Sequence, residues 1–426
     1  MKLKSKTFAV LVFSLALTPA LWAQSFHAKF STSVYSWERQ LLAAESESHA
    51  RLFQTARLTV GQLAGNRLSL HVFGAFSQDM TASAEEDPAM RLYNTYLQWR
   101  ENKGLIEKVR LGRQRIYSGV AYGTIDGIDV GLRIKDYFKI GGFVGALVPA
   151  STDIELGDWN ESHSFGLRVS TNKIAGASVL VSFMQRNRTP FLKDEPGRYT
   201  GVVYGFDDVE QRLVGLDAHR NITGKLSAYG RLDYDLESER VRRGQIELRL
   251  TANDKFSISG EFIHRAPLIA ANSIFNIFEQ NTMQDVGLSA SYRVCQDWFL
   301  TGNVGMQMYE DDESVRLGLG AGSRYGSFGY NFRRGYGGQN NGAYAAVNYP
   351  VNDKLGLVAS TGLARYSLFS EDLDTETSLT GSLGVNYRPY QSVSVDVLGQ
   401  GVRNRFSSKD YRLFVRASYS FFKSGR

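Results

Sequence analysis

Charged side chains recur at every second position in several stretches of this sequence. Around residues 231–249, Arg231, Asp233, Glu247 and Arg249 alternate with leucine, isoleucine and tyrosine. A period of two places such side chains on one face of an extended strand. Carboxylates and guanidinium groups in a row can pair and can bind ions or polar solutes. We predict that the functional site, called the site prediction below, consists of the charged residues Arg110, Asp129, Arg133, Asp217, Arg231, Asp233, Glu247, Arg249, Glu261, Arg412 and Arg416.

Residues suited to metal or covalent chemistry lack the spacing that such sites need. The histidines are scattered, and none is spaced as a ligand pair with a second histidine or a cysteine. Cys295 is the only cysteine, and no Gly-x-Ser-x-Gly motif is present. Acidic segments at 310–313 and 371–376 lack the spacing of a calcium loop. We expect no catalytic residue, no metal site and no cofactor, and therefore no enzyme.

The charged faces require strands to position them. From Lys225 to Leu236 apolar and polar residues alternate, and the pattern resumes at 245–251 and 255–265. Asn253 and Asp254 favour a tight turn between the last two stretches. One face of each predicted strand is apolar and the other is charged.

The same pattern continues through the chain and predicts about 22 strands, with 18 to 22 as the accepted range. The other predicted strands are 26–37, 51–63, 67–78, 90–100, 107–116, 125–134, 137–148, 162–171, 175–188, 209–220, 283–294, 298–309, 314–324, 327–335, 343–349, 354–369, 376–388, 392–405 and 410–422. Short turns, such as residues 64–66, recur about every 36 residues, as hairpins of a membrane barrel would require.

The first residues have the pattern of a secretory signal. Lys2, Lys4 and Lys6 precede an apolar run at 8–17, and small residues favour cleavage after Ala23. We predict a signal peptide at 1–23 and one domain at 24–426. Without the three leading lysines, the formal net charge of +6 falls to near +3. This balance does not indicate a nucleic-acid partner.

Composition and scale favour a single closed sheet. The chain has 42 glycines and 8 prolines, and its mean hydropathy is −0.26. No helical layer is predicted to cover the apolar faces, so lipid covers them in the simplest arrangement. We predict an all-β transmembrane antiparallel up-and-down barrel without a plug domain, with the residues of the site prediction lining the pore. Outer-membrane lipid and lipopolysaccharide are the expected surroundings.

Two stretches resemble known outer-membrane proteins. Residues 109–144 contain Gly112-Arg113-Gln114 and then Asp126-Gly127-Ile128, and this pattern resembles bacterial outer-membrane porins, including the alginate-export type. The resemblance implies a bacterial outer-membrane location. The last strand resembles the signal read by the outer-membrane assembly machinery, although residues 423–426 follow its final aromatic residue. Arg113 and Arg115 are expected to lie at a strand end near the extracellular exit, where water solvates their charges.

Two functions fit these expectations. The first is a channel for diffusion or export of polar solutes, restricted by inward loops such as 189–208 or 266–282. Because basic and acidic lumen residues roughly balance, such a channel should select weakly between ions. The second is a barrel sheath around a cytochrome in an electron conduit. The chain has no haem-attachment motif, so the partner would supply the haems.

Overall fold

A computed structural model describes most of the chain. The described residues are 25–41, 47–81, 88–135, 137–149, 154–189, 209–269, 281–367 and 375–424. The predicted signal peptide lies outside them, as do most of the loops 189–208 and 266–282.

In the described residues, twenty-two strands make up almost all of the regular structure, and one helical turn, Leu63–Asn66, stands where a tight turn was predicted. The first eleven strands are β1 (Ser25–Leu41), β2 (Glu47–Gln62), β3 (Leu68–Asp79), β4 (Ala89–Arg100), β5 (Ile106–Ser118), β6 (Ala121–Ile134), β7 (Phe138–Leu147), β8 (Ser162–Ile174), β9 (Ala177–Arg188), β10 (Val209–Asn221) and β11 (Leu226–Asp235). The others are β12 (Arg240–Thr251), β13 (Phe256–Arg265), β14 (Met283–Arg293), β15 (Trp298–Met308), β16 (Glu313–Ser323), β17 (Gly326–Gly335), β18 (Gly338–Pro350), β19 (Leu355–Ser367), β20 (Glu376–Tyr390), β21 (Val393–Arg403) and β22 (Ser407–Lys423).

The strands form one closed antiparallel sheet. Each strand pairs with its neighbours in sequence, and β22 pairs with β1 from Phe26↔Lys423 to Leu41↔Ser407. Closure leaves no open edge in the sheet, which a barrel in lipid requires. The predicted fold class is confirmed, and the described residues include no separate plug domain. In the described part of the chain, no helix is long and apolar enough to cross a membrane.

The outer face of the barrel is apolar. On β12, Ile246 and Leu248 are 58% and 50% exposed, and Leu383 on β20 is 72% exposed. Large apolar side chains with this exposure are stable where lipid covers them. The alternate positions, such as Glu247 and Arg249, face the lumen, as the period of two requires.

Several strands are longer than predicted at one end. β18 begins at Gly338 and not at 343, and β6 begins at Ala121 and not at 125. β1 and β2 extend into the polar stretch 38–49, which was predicted as a loop. Ladder hydrogen bonds use the backbone alone, so a strand continues where the alternation of side chains has stopped.

The strand connections differ at the two ends of the barrel. Both chain ends lie where the connections are tight, and the longer connections lie at the opposite end. Two strand pairs depart from this rule, because only residues 119–120 separate β5 from β6 and only residues 336–337 separate β17 from β18 at the end of the longer connections. The hairpin of β5 and β6 differs further in its pairing with the neighbouring strands.

Candidate functional site

The hairpin of β5 and β6 separates from the wall before it ends. β5 pairs with β4 only as far as Thr95↔Arg113. β6 pairs with β7 only as far as Ile125↔Leu147, with one further backbone hydrogen bond at Thr124. Within the hairpin the two strands remain paired up to Ser118↔Ala121. Residues 114–123, which we call the inward hairpin, therefore have no neighbouring strand on either side.

The tip of the inward hairpin contacts the inner surface of β9, β10 and β11. The Val120 amide donates to Ser182 Oγ at 3.1 Å, and Arg231 Nη2 donates to the Gly119 carbonyl at 3.3 Å. The Tyr122 hydroxyl donates to Gln211 Oε1 at 2.8 Å. Side chains that alternate with these wall residues, including Val181, Leu216 and Leu232, are exposed on the lipid face. The hairpin therefore crosses the lumen side of the wall.

An apolar cluster holds the inward hairpin in place. Each side chain in the cluster is at most 6% exposed, and burial of one large aliphatic side chain contributes roughly 1.5–3 kcal/mol. Because the lumen is expected to hold water, burial of these apolar side chains favours packing of the hairpin on the wall. The cluster consists of Ile116, Val120, Ala121 and Ile125 from the hairpin region, with Phe143, Leu147, Met184 and Leu213 from the wall.

Glycine allows the close approach at the tip. Gly119 has φ +59°, and a Cβ there would lie 2.1 Å from Ser182 Oγ. On the wall, a Cβ at Gly215 would lie 2.5 Å from Val120. Side chains at both positions would push the hairpin away from the wall.

Arg113 is buried behind the inward hairpin, so its charge is not exposed to solvent at a strand end. Its side chain is 3% exposed, and Nε and Nη2 each donate to Asp126 at 2.8 Å. Arg113 also donates to the carbonyls of Leu92 and Glu155. The expectation was wrong for Arg113, because the connection after β7 folds back over this strand end and buries it. Arg115 remains exposed.

A buried carboxylate lies beside the root of the inward hairpin. Asp129 is 0% exposed and receives Lys108 at 2.9 Å, Arg110 at 2.5 Å and Arg168 at 2.5 Å. The sequence prediction included Arg110 and Asp129 and missed Lys108 and Arg168. Their lumen phase on β5 and β8 was the signal that could have identified them. We call these four residues the Asp129 cluster.

The other residues of the site prediction lie in separate groups. Arg133 donates to Glu107 at 2.8 Å. Arg231 donates to Asp233 and lies 3.8 Å from Asp217. The remaining contacts are Arg249 with Glu247 at 2.9 Å, Gln245 with Glu261 at 2.5 Å, Arg412 with Asp410 at 2.7 Å and Arg416 with Asp396 at 2.8 Å. Their role in lining a conducting pore stays a prediction.

The wall formed by β15–β21 has a different inner surface. Its lumen-facing positions are mainly glycine, serine, threonine and asparagine, and Ser360 and Ser382 share a hydrogen bond of 2.7 Å. Such short side chains take up little space on the inner face of this wall. Among the described residues, no group of three or more histidine, cysteine or acidic side chains could hold a metal ion.

Comparisons with known proteins identify the fold. No family model matches the chain, and no curated protein matches it. A mutant of the ferric enterobactin receptor PfeA from Pseudomonas aeruginosa shares 10% identity at a TM-score of 0.57, over 92% of this chain and 80% of that chain. OccK2 (OpdF) from Pseudomonas aeruginosa shares 10% identity at 0.46, over 94% and 98% of the chains. The P pilus usher (PapC) translocation pore shares 9% at 0.47, over 94% and 100%. At these identities a likeness concerns the fold alone, and the TM-score of 0.57 to PfeA supports a closed antiparallel barrel.

Proposed function

We propose that this protein is a passive channel of the bacterial outer membrane for small polar solutes. The observation that carries this proposal is the inward hairpin, which packs on the lumen side of a closed barrel and narrows the lumen along β9, β10 and β11. Lumen-facing groups that are charged, or short and polar, keep water in the remaining space. A restricted aqueous path is what a diffusion channel needs.

The partners proposed for the protein follow from this location. Lipid would cover the apolar outer face, and lipopolysaccharide would surround the end with the longer connections. The assembly machinery would insert the barrel through its last strand. Contact with these partners would require no cofactor.

A sheath around a cytochrome has less support. A folded partner in the lumen would need the space that the inward hairpin occupies along β9, β10 and β11. The hairpin would have to leave its apolar cluster first, which would expose Ile116, Val120 and Met184 to water. This cost favours the channel over the sheath.

The channel is tested by conductance of the purified protein alone in a planar bilayer. Replacing residues 115–122 by a two-residue Asn-Gly turn should raise the single-channel conductance severalfold, because it removes the inward hairpin from the lumen. The matched control makes the same replacement at residues 309–312, which connect β15 and β16 at the same end of the barrel. That change should leave the conductance within about twofold, because short side chains line that wall.

Two results would contradict the proposal. A protein that is folded, as judged by heat-modifiable mobility on gels, but passes no current is not a passive channel. Equal conductance with and without the inward hairpin would show that the narrowing lies elsewhere.

A further inference from the structure

The Asp129 cluster has more positive charge than its carboxylate can balance. Three cations converge on the one carboxylate of Asp129, so the cluster has two unbalanced positive charges. Next to it, Arg133 and Lys139 share the single carboxylate of Glu107. The inner wall of β5–β8 therefore has five cations to two carboxylates in these two groups.

Other ion pairs that the described residues place on the lumen face have no excess of cations. Asp285 pairs with Arg316 and Asp396 with Arg416, while Arg231 lies between Asp217 and Asp233. A cluster whose purpose was only to join strands would not need extra cations, since unbalanced like charges repel one another. The excess charge in the Asp129 cluster requires another explanation.

The surrounding wall is shaped to hold these cations. A Cβ at Gly141 would lie 2.5 Å from Arg168 Nε, and a Cβ at Gly131 would lie 3.1 Å from the Lys108 side chain. Both cationic side chains therefore lie flat across glycines of the neighbouring strands. The Arg110 guanidinium lies 5.6 Å from the centre of the Tyr96 ring, which supports it from another side.

Part of the donor capacity of the cluster remains available. The cations are 26%, 18% and 17% exposed for Lys108, Arg110 and Arg168. Within the described residues, Asp129 takes up Nε and Nη2 of Arg110 but only Nη2 of Arg168. Nη1 of both guanidinium groups can therefore donate to a ligand in the lumen.

We propose that the Asp129 cluster binds a divalent oxyanion of the sulfate or phosphate type. Such an anion supplies the two missing negative charges and has oxygens for the free guanidinium and ammonium donors. This inference rests on the proposed channel, because the anion would reach the cluster through the lumen. A site of this kind holds anions on one wall and leaves the balanced remainder of the lumen weakly selective.

The direct test is sulfate binding to the full-length barrel in detergent, measured by isothermal titration calorimetry at low ionic strength. The double variant Lys108→Gln with Arg168→Gln should weaken binding by about tenfold or more, which corresponds to about 1.4 kcal/mol. The control Arg412→Gln with Arg416→Gln removes the same charge from one-to-one pairs and should change binding by less than about twofold.

A second variant tests geometry without a change in charge. Gly141→Val fills the space in which the Arg168 guanidinium lies and should also weaken sulfate binding. Equal weakening by the two charge variants would overturn the proposal, because net charge would then explain the binding. Absence of sulfate binding by the unmodified, folded barrel would overturn it as well.

Conductance separates this inference from the proposed function. In a planar bilayer, sulfate added to potassium chloride should reduce the current of the unmodified barrel and not that of the Lys108→Gln, Arg168→Gln variant. A current that sulfate does not affect in either protein contradicts the site and leaves the channel. Sulfate binding by a barrel that passes no current contradicts the channel and leaves the site.

Discussion

The walls formed by β5–β12 and by β15–β21 have the same backbone architecture and different inner surfaces. The first supports the inward hairpin and has long charged side chains that lie across glycines, such as Arg168 over Gly141. The second has short polar side chains, such as Ser360 and Ser382. Because the ladder hydrogen bonds use only the backbone, the same sheet can form with different side chains facing the lumen. The contrast shows that closure of the sheet and chemistry of the lumen are separate properties of the sequence.

The largest expected difference between the walls concerns buried charge. Asp129→Asn should destabilise the barrel by about 3 kcal/mol or more, because three cations lose their shared counter-charge. Asp396→Asn should cost no more than about 1 kcal/mol, because it removes one pair whose arginine is about half exposed. Urea midpoints of refolding into micelles would measure both. Equal costs would remove the energetic difference between the walls.

The outer faces of the two walls should respond alike. Leu248→Arg on β12 and Leu383→Arg on β20 should each cost about 2–4 kcal/mol where the side chain lies near the bilayer midplane. Arg249→Leu, one position along β12 on the lumen face, should be mild. Heat-modifiable mobility would report the assembled fraction of each variant. A tolerated Leu383→Arg would show that lipid does not cover that wall.

The inward hairpin should respond to one polar substitution at its tip. Val120 is 4% exposed, so the carboxylate introduced by Val120→Asp would be buried. This burial would destabilise the packed hairpin by on the order of 2 kcal/mol or more unless the hairpin leaves the wall. The conductance should then rise while the barrel remains folded. Val120→Ile, which keeps the tip apolar, is the matched control and should leave the conductance unchanged.

The smallest effect is expected on the wall with short side chains. Ser382→Ala removes the hydrogen bond to Ser360 and should cost less than about 1 kcal/mol. The conductance should not change, because the side chain becomes no larger. A large change in either quantity would mean that this wall positions solutes more specifically than its residue types suggest.

The period of two in the sequence predicted the strands and the faces of Leu248 and Arg249, because neighbouring side chains of a strand must point to opposite sides. It did not predict the inward hairpin, since residues 117–124 fall between the predicted strands 107–116 and 125–134. A signal was nevertheless present. Ile116, Ile125 and Met184 are apolar at positions in phase with lumen residues, where water alone would disfavour them.

The Asp129 cluster was predicted only in part for a different reason. Arg110 and Asp129 belong to adjacent strands, and their phase was readable from a single hairpin. Arg168 lies two strands from Asp129, and its contact depends on the register of β6, β7 and β8 together. Register across several strands is set by turns and bulges that one sequence does not specify.

The pairing of β1 with β22 joins the two ends of the sheet and so has a consequence for insertion of the barrel. Ser31 and Ser418 share a hydrogen bond of 2.9 Å although 387 positions separate them in the chain. Contacts of such long range form late, because the entropy of closing the longest loop must be overcome first. Until β22 arrives, β1 offers an unpaired edge that hydrocarbon cannot solvate. In lipid, a chain that stops short of β22 therefore carries the cost of unpaired backbone groups along β1, which disfavours its insertion until the last strand has paired.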